Sequence, residues 1–311
     1  MPATKLPADA PTDRVSVCIC TYRRPERLRE LLDALAGQIV DGSFTYDVVV
    51  VDNDRDRSAE SCVREFQQRG ALQLIYDCEP EQNISLTRNR AIRNATGNVI
   101  AFIDDDEVPV TGWLGQLHRT MVAHAADGAL GPVLPDFPPA APAWLKRGRF
   151  FDRRRLATGT PIAAGDARTG NLMLRRALFV EGELWFDPAF GRTGGEDSDF
   201  FWRQAREARL FVWCDEAIAY EIVPPDRWTV AYHVKRYLRS GTLDGERMRS
   251  GRLASRGQIL RNSLIFCGCA AIAPFAWLIR KDISTRVLQK LAYCGGILTA
   301  YCGMSLLRYR D

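Results

Sequence analysis

The sequence predicts an α/β fold built on a mostly parallel sheet with flanking helices. Three observations predict it. Short β-branched runs alternate with amphipathic helical runs through the first hundred residues. The helical runs are long enough for right-handed crossovers, which leave neighbouring strands parallel. Polar residues stand where the strands end, at Tyr22, Asp52 and Asp104 to Asp106, and ligands bind at strand carboxyl ends in such sheets.

The elements follow in order. "RVSVCICTY" (14–22) is a short apolar run of buried-strand type. In "RRPERLRELLDALAG", Leu28, Leu31, Leu32 and Leu35 mark one helical face, Pro25 suits the first turn and Gly37 the stop. "YDVVVVDND" (46–54) is a second strand, "SAESCVREFQQRG" (58–70) a helix, and "LQLIYDCE" a third strand. "SLTRNRAIRNATG" (85–97) reads as a helix and "NVIAFIDDDE" as a fourth strand. "WLGQLHRTMVAHAADG" (113–128) is another helix. Residues 132–168 are proline-rich with basic clusters "KRGR" and "DRRR", and read as a long surface loop. "TGNLMLRRALFVEG" (169–182) returns to strand and helix. "GRTGGEDSDFFWRQAREA" (191–208) is a glycine-rich turn opening a helix, and "RLFVWCDEAIAYEIVPP" is strand-like.

At 311 residues with 46% hydrophobic content, the chain suffices for one large domain plus an appendage, or for two domains. A net charge of +4 gives no global excess of the kind a nucleic-acid binder carries. Basic residues do outnumber acidic ones between Arg227 and Arg261. The nine cysteines include no CxxC pair, so they read as reduced, mostly buried small hydrophobes. Residues 1–13 read as a loose leader, 14–245 as the catalytic domain and 246–311 as a helical, membrane-associated region.

The acidic run "FIDDDE" needs an explanation, because adjacent carboxylates repel. A solvated turn capping the next helix is one reading. The other is a divalent cation with its phosphate ligand, which uses few hard carboxylates and leaves a face open. Tyr22 offers a ring face and Asp52 an acceptor, apt for a nucleotide base. Neither GxxxxGK[ST] nor a strand-linked GxGxxG is present, which argues against P-loop and dinucleotide sites.

The stretches "VSVCICTYRRPERL", "VVVVDND", "NISLTRNRAIRNATGNVIAFIDDDE", "GPVLP", "TGNLMLRR", "GGEDSDF" and "VPPDRWT…KRYLRSG" together resemble family 2 glycosyltransferases of the bacterial polysaccharide type. The resemblance covers about 15–242 and implies the GT-A fold. It implies that Tyr22 stacks on a nucleotide base, that Asp52 hydrogen-bonds that base, and that Arg88 lies near the nucleotide. Asp104, Asp105 and Asp106 match the DxD-type motif, touching ribose and a Mn2+ or Mg2+ ion, with Asp106 the direct metal ligand and Asp104 beside it. Asp197 matches the general base, with Glu196 next to it, and Thr169, Gly170 and Asn171 line the sugar pocket. A helix cap is the alternative reading for Asp197. Some relatives carry a His ligand after the last core strand; here Glu221 stands in that neighbourhood. Arg236 could meet the diphosphate, or belong to a solvated basic face.

Two 17-residue segments without charge, 263–279 and 291–307, are flanked by Arg and Lys. Each is at the lower limit for a membrane span, and basic residues also crowd the hinge between them. A hairpin lying in the cytoplasmic leaflet fits this better than a full crossing. A hairpin buried on the catalytic domain and an oligomer interface are the alternatives.

The expected function is thus inverting, metal-dependent transfer of a sugar from a UDP- or GDP-sugar to a hydroxyl on a lipid-linked or glycan acceptor, at the cytoplasmic membrane face. One rival is a nucleotidyltransferase, but its glycine-rich phosphate loop is missing from "TYRRPERL". The other is a non-catalytic membrane scaffold, disfavoured by the intact acids of "DDDE" and "GGED".

Overall fold

The computed structural model describes residues 13–180, 183, 185–192, 194–250, 256–278 and 280–304. Most of the expected leader, residues 1–12, lies outside these, as do 251–255 and 305–311 of the C-terminal region. The chain forms two compact units. The first comprises Met1–Leu134 and Arg153–Glu221, the second Pro135–Asp152 and Ile222–Asp311. The division therefore falls at different places from the single boundary after residue 245 that the sequence suggests.

The first unit opens with β1 (Asp13–Thr21), α1 (Pro25–Ala36), β2 (Phe44–Asp52), α2 (Glu60–Arg69), β3 (Leu74–Cys78), α3 (Ile84–Asn94) and β4 (Val99–Phe102). β1 pairs in parallel with β2 and β4, and β2 with β3, as the alternating pattern requires. β5 (Glu107–Pro109), α4 (Trp113–Ala123), β6 (Gly128–Leu130) and β7 (Val133–Asp136) follow, with β7 crossing into the second unit. After α5 (Ala143–Gly148) of the second unit come β8 (Leu172–Arg175), α6 (Glu196–Arg206), β9 (Phe211–Trp213) and β10 (Ala219–Ile222). The main sheet has seven strands in the order β3-β2-β1-β4-β8-β6-β9. β8 is antiparallel to both its neighbours, so the sheet is mixed.

Alternation sorts the core onto two faces. Val15, Val17 and Ile19 of β1 meet Leu28, Leu31, Leu32 and Leu35 of α1, with Val63 and Phe66 of α2. Cys18, Val49, Val51 and Ile100 point the other way, toward Ile92 of α3 and Phe200 and Phe201 of α6. The predicted four-leucine face of α1 is fully buried. Burying such side chains contributes roughly 1.5–3 kcal/mol each, which ties the crossover helices to the sheet and fixes its carboxyl edge.

The second unit differs from expectation. Residues 135–152 are no surface loop: Trp144, Leu145, Phe150 and Phe151 are buried in a cluster with Val223. The proline-rich composition masked these anchors. α7 (Val230–Arg249) and α9 (Lys281–Tyr301) pack closely because glycines sit between their backbones. A Cβ on Gly241 would lie 2.0 Å from the Tyr293 carbonyl oxygen, and one on Gly296 would lie 2.4 Å from that of Leu238. The second apolar segment is thus largely a packed helix, with Cys294, Ile297 and Ala300 buried. The first falls in α8 (Arg256–Ile272) and the 3-10 turn Ala273–Leu278, and is exposed.

Candidate active site

The parallel register brings Thr21 level with Asp52 and Cys18 level with Phe102, so β1, β2 and β4 end on one edge. The antiparallel β8 starts at Leu172 opposite Phe102, which puts residues 169–171 on that same edge. β10 pairs Glu221 with Glu107 of β5. β1, β4, β5, β8 and β10 therefore deliver side chains to one place.

The acids are held individually. Asp105 accepts from Thr21 Oγ1 at 2.8 Å and from Arg24 Nη1 at 3.1 Å. The same Arg24 nitrogen donates to Asp106 Oδ2 at 3.1 Å. Glu107 is buried and accepts from the Asp104 amide at 3.3 Å. A Cβ on Gly170 would come within 2.8 Å of Glu107 Oε1 and 3.1 Å of Asp104 Oδ2, so only glycine lets this backbone approach the two carboxylates so closely. Arg153 Nη2 stands 3.7 Å from Glu221 Oε2.

Charge is poorly balanced in this cluster. Burial, with the Asp104 and Glu221 charges adding to it, pushes the Glu107 carboxyl well above its usual range. Burial, with Asp106 and Asp105 adding and Arg88 opposing, pushes Asp104 up to about 6. Its side chain keeps 49% of its exposure, so water moderates that shift. Burial also raises Asp105, against the pull of Arg24. Carboxylates held above their ordinary pKa attract a cation. Among the described residues no three His, Cys, Asp or Glu side chains form a ready-made metal group, so an ion here would draw further ligands from a bound anion.

Asp197 sits in the first turn of α6. Gly194 and Gly195 precede it at φ of 78° and 101°, in the left-handed region that favours glycine. Gly195, not Asp197, takes the cap position. Asp197 Oδ1 accepts the adjacent Ser198 amide at 2.6 Å. Arg168 lies in the electrostatic field of Asp197 and Glu107; burial, with Arg153 adding, brings its pKa down to about 10.

Four of the predicted residues have partners within the protein. Asp52 is fully buried and accepts from the amides of Asp54 and Ala59 and from Tyr76 Oη, so it braces the turn into α2. Asn171 is also fully buried; its amide donates to the carbonyls of Pro132 and Ala217 and accepts from Trp113 Nε1. It supports the pocket from behind. Arg88 is buried, hydrogen-bonds Glu196, stands 3.8 Å from Asp104 Oδ1 and lies over the Phe186 ring. Glu196 is that partner, with its second oxygen buried and unpartnered among the described residues. The pair clamps the start of α6 to α3.

Tyr22 is half-buried with the Arg23 guanidinium 5.2 Å from its ring centroid. Thr169 and Gly170 are buried on the site edge. Arg236 belongs to the second unit, where it lies 5.8 Å from the Phe151 ring centroid. Burial pushes the Cys20 thiol up to about 12, which rules it out as a thiolate nucleophile at neutral pH. The sequence reading passed over Thr21, Arg24, Arg153 and Arg168. The signal for the first two was their place beside Tyr22 at the end of β1.

Residues 16–180 match the profile described as Glycosyl transferase family 2. The chain is 33% identical over 301 residues to the succinoglycan biosynthesis protein ExoM of Rhizobium meliloti (strain 1021), covering 94% of each. It is 24% identical over 250 residues to chondroitin synthase of Escherichia coli, covering 69% of this chain and 35% of that one. Among solved structures, S. aureus TarS 1–349 in complex with UDP-GlcNAc aligns with a TM-score of 0.55 at 16% identity, over 94% of this chain and 93% of that one. GalNAc-T7 with UDP, GalNAc and Mn2+ aligns with a TM-score of 0.56 at 12% identity, over 79% and 52%.

Proposed function

Because the chain belongs to glycosyl transferase family 2, we propose that it moves a sugar from a nucleotide-sugar to a hydroxyl of a growing or lipid-linked glycan, with inversion and with Mn2+ or Mg2+ bound. The observation that carries this reading is the meeting of two groups on one edge of a GT-A sheet. Asp104 to Glu107 follow β4, and Asp197 opens α6. The Arg88–Glu196 pair, with Asp104 3.8 Å from Arg88, links the two.

The donor set fits a hard divalent ion: carboxylate oxygens, some with raised pKa, on a surface that glycine keeps open. Asp106 and Asp104 would hold it, and it would offset charge on the diphosphate leaving group. Arg24 keeps the Asp105 and Asp106 carboxylates oriented. Tyr22 offers its ring to the base, and Thr169 and Gly170 border the sugar. Asp197 takes the acceptor hydroxyl proton as the new bond to the anomeric carbon forms and the bond to the diphosphate oxygen breaks. One displacement from the face opposite the leaving group inverts the anomeric centre.

UDP-GlcNAc in the TarS complex and Mn2+ in the GalNAc-T7 complex support a nucleotide-sugar donor and a divalent ion. The ExoM relative, a succinoglycan biosynthesis protein, supports a polysaccharide precursor as acceptor, and the exposed apolar helix Gly257–Phe275 supports work at a membrane face. The test is a panel of UDP- and GDP-sugars with a lipid-linked acceptor extract, with product configuration read by NMR. Asp197→Asn should keep donor binding and lose about 10²–10⁴-fold in transfer rate. A product with retained configuration, or full turnover by that variant, would overturn the mechanism.

A further inference from the structure

α8 is built inside out. Its one buried side chain among those described is Asn262, a polar residue whose Oδ1 lies 3.9 Å from Cys294 Sγ of α9. Its large apolar residues face outward instead. Leu260 is 64% exposed and Leu264 67%, and in the turn that follows Phe275 is 64% and Leu278 66% exposed. A soluble helix shows the reverse pattern, with its apolar stripe on the core. Gly257–Phe275 is also long and apolar enough to cross a bilayer, and only 6% of it is buried. The exposed positions span about 200° of the helix circumference, a little over half. A bilayer wraps such a surface; a protein partner would cover only one side of it.

The geometry of the second unit decides how the helix meets lipid. α9 returns alongside α8 and stays on protein along its length. At its start, Lys281 Nζ is 4.6 Å from the Trp144 ring centroid and Arg286 Nη2 donates to the Gly148 carbonyl at 2.8 Å. Further on, Tyr293 Oη donates to Asp244 of α7 at 2.7 Å. If α8 crossed the bilayer, α9 would have to cross beside it and pull α7 in as well. α7 carries Lys235, Arg236, Arg239, Asp244, Glu246, Arg247 and Arg249, and each charge in hydrocarbon costs several kcal/mol.

We propose that α8 and the turn Ala273–Leu278 lie side-on within one leaflet of an anionic lipid bilayer, while α9 remains a protein-packed strut beneath them. The exposed Arg261 and Lys290 fit this placement by supplying cations for anionic headgroups at the edges of the buried stretch. The inference rests on the membrane placement proposed above, but not on the chemistry of transfer.

The test uses the full chain and phosphatidylcholine vesicles with and without phosphatidylglycerol. The wild type should float, and more strongly with phosphatidylglycerol. The pair Leu264→Glu and Phe275→Glu, both at exposed positions, should lower the bound-to-free ratio by more than about a hundredfold while nucleotide binding is unchanged. The exposed Cys267, located by peptide mass after labelling, should lose reactivity to a membrane-impermeant maleimide when vesicles are added. Wild-type protein that stays in the soluble fraction overturns the proposal, as does equal flotation by the double variant. So does a soluble dimer that the same substitutions dissociate, which would assign the face to a second copy. Flotation without sugar transfer would keep this inference and sink the functional reading.

Discussion

Glu196 and Asp197 are adjacent carboxylates, and the proposed mechanism gives them different tasks that three substitutions separate. Glu196→Ala removes the hydrogen-bonded partner of Arg88, whose side chain is 9% exposed. Leaving a buried charge without its partner costs about 3–5 kcal/mol. Asp104, 3.8 Å from the other guanidinium nitrogen, can take over part of the compensation, so we expect about 3 kcal/mol. Glu196→Gln keeps an acceptor for Arg88 and should cost about 1–2 kcal/mol. Asp197 accepts the Ser198 amide and, among the described residues, reaches Arg168 and Arg88 through its charge alone, so Asp197→Asn should change stability by less than about 0.5 kcal/mol. Activity should sort the other way. Asp197→Asn loses about 10²–10⁴-fold in kcat with donor KM nearly unchanged. Glu196→Gln, which only loosens the start of α6, should lose about tenfold. Urea unfolding and steady-state kinetics on the three variants provide the comparison. A Glu196→Ala protein as stable as wild type would refute the clamp. A Glu196→Gln enzyme as inactive as Asp197→Asn would move the base to Glu196.

Three further outcomes follow from the same physics. Asp104 has its pKa raised to about 6 in the folded chain, so the native state binds more protons there than the unfolded one between about 4 and 6, and its ionisation destabilises the fold as pH rises through about 6; Glu107 is raised in the same direction. A divalent ion relieves that strain, so Mn2+ should raise the melting temperature more at pH 7.5 than at pH 5, and Asp106→Ala should shrink the difference; an equal shift at both pH values counts against a carboxylate site. His233 is fully buried, ringed by Trp144, Phe150 and Phe151 at 6.1, 4.7 and 5.4 Å between centroids, and burial lowers its pKa to about 4. The unfolded chain therefore takes up its proton first as pH falls: stability is full above about 6.5 and drops by up to about 3 kcal/mol by pH 4. His233→Phe should flatten that part of the stability profile, and an unchanged profile would place the titration elsewhere. Gly241→Ala should cost about 1–3 kcal/mol or more in thermal or urea unfolding, because its Cβ meets the Tyr293 backbone at 2.0 Å, whereas Gly268→Ala on the exposed face of α8, with nothing within 4 Å of its Cβ, should be neutral or stabilising.

The order of elements was legible because period and length carry it. The leucines of α1 and the valines of β2 declare their faces in the sequence, and the structure buries those residues. The edge of the sheet was legible for the same reason, since strand ends fix where Tyr22 and Asp104 stand. Polar residues at that edge were harder to sort. Asp52, Asn171 and Arg88 are of types that bind ligands, but each spends its polar atoms on other parts of the chain. No local pattern separates a carboxylate that accepts backbone amides from one that waits for substrate, because the difference lies in contacts many residues away. Glu107 and Arg168 show the converse: their electrostatic roles depend on strands and loops that only the fold brings together.

The two apolar C-terminal segments make the same point about hydropathy. Both are uncharged for 17 residues, and composition alone treats them as a pair. What separates them is small residues facing a partner. Gly241 and Gly245 on α7 leave room for the backbone of α9, where a Cβ on Gly245 would fall 2.5 Å from the Ile297 carbonyl oxygen. α9 therefore finds a protein surface. In α8 the glycines open onto empty space: Gly257 and Gly268 meet nothing within 4 Å. Equal hydropathy thus leads to a protein interior in one case and to a free surface in the other. The arrangement of glycines on the partner helix decides between them, and a hydropathy window never includes the partner.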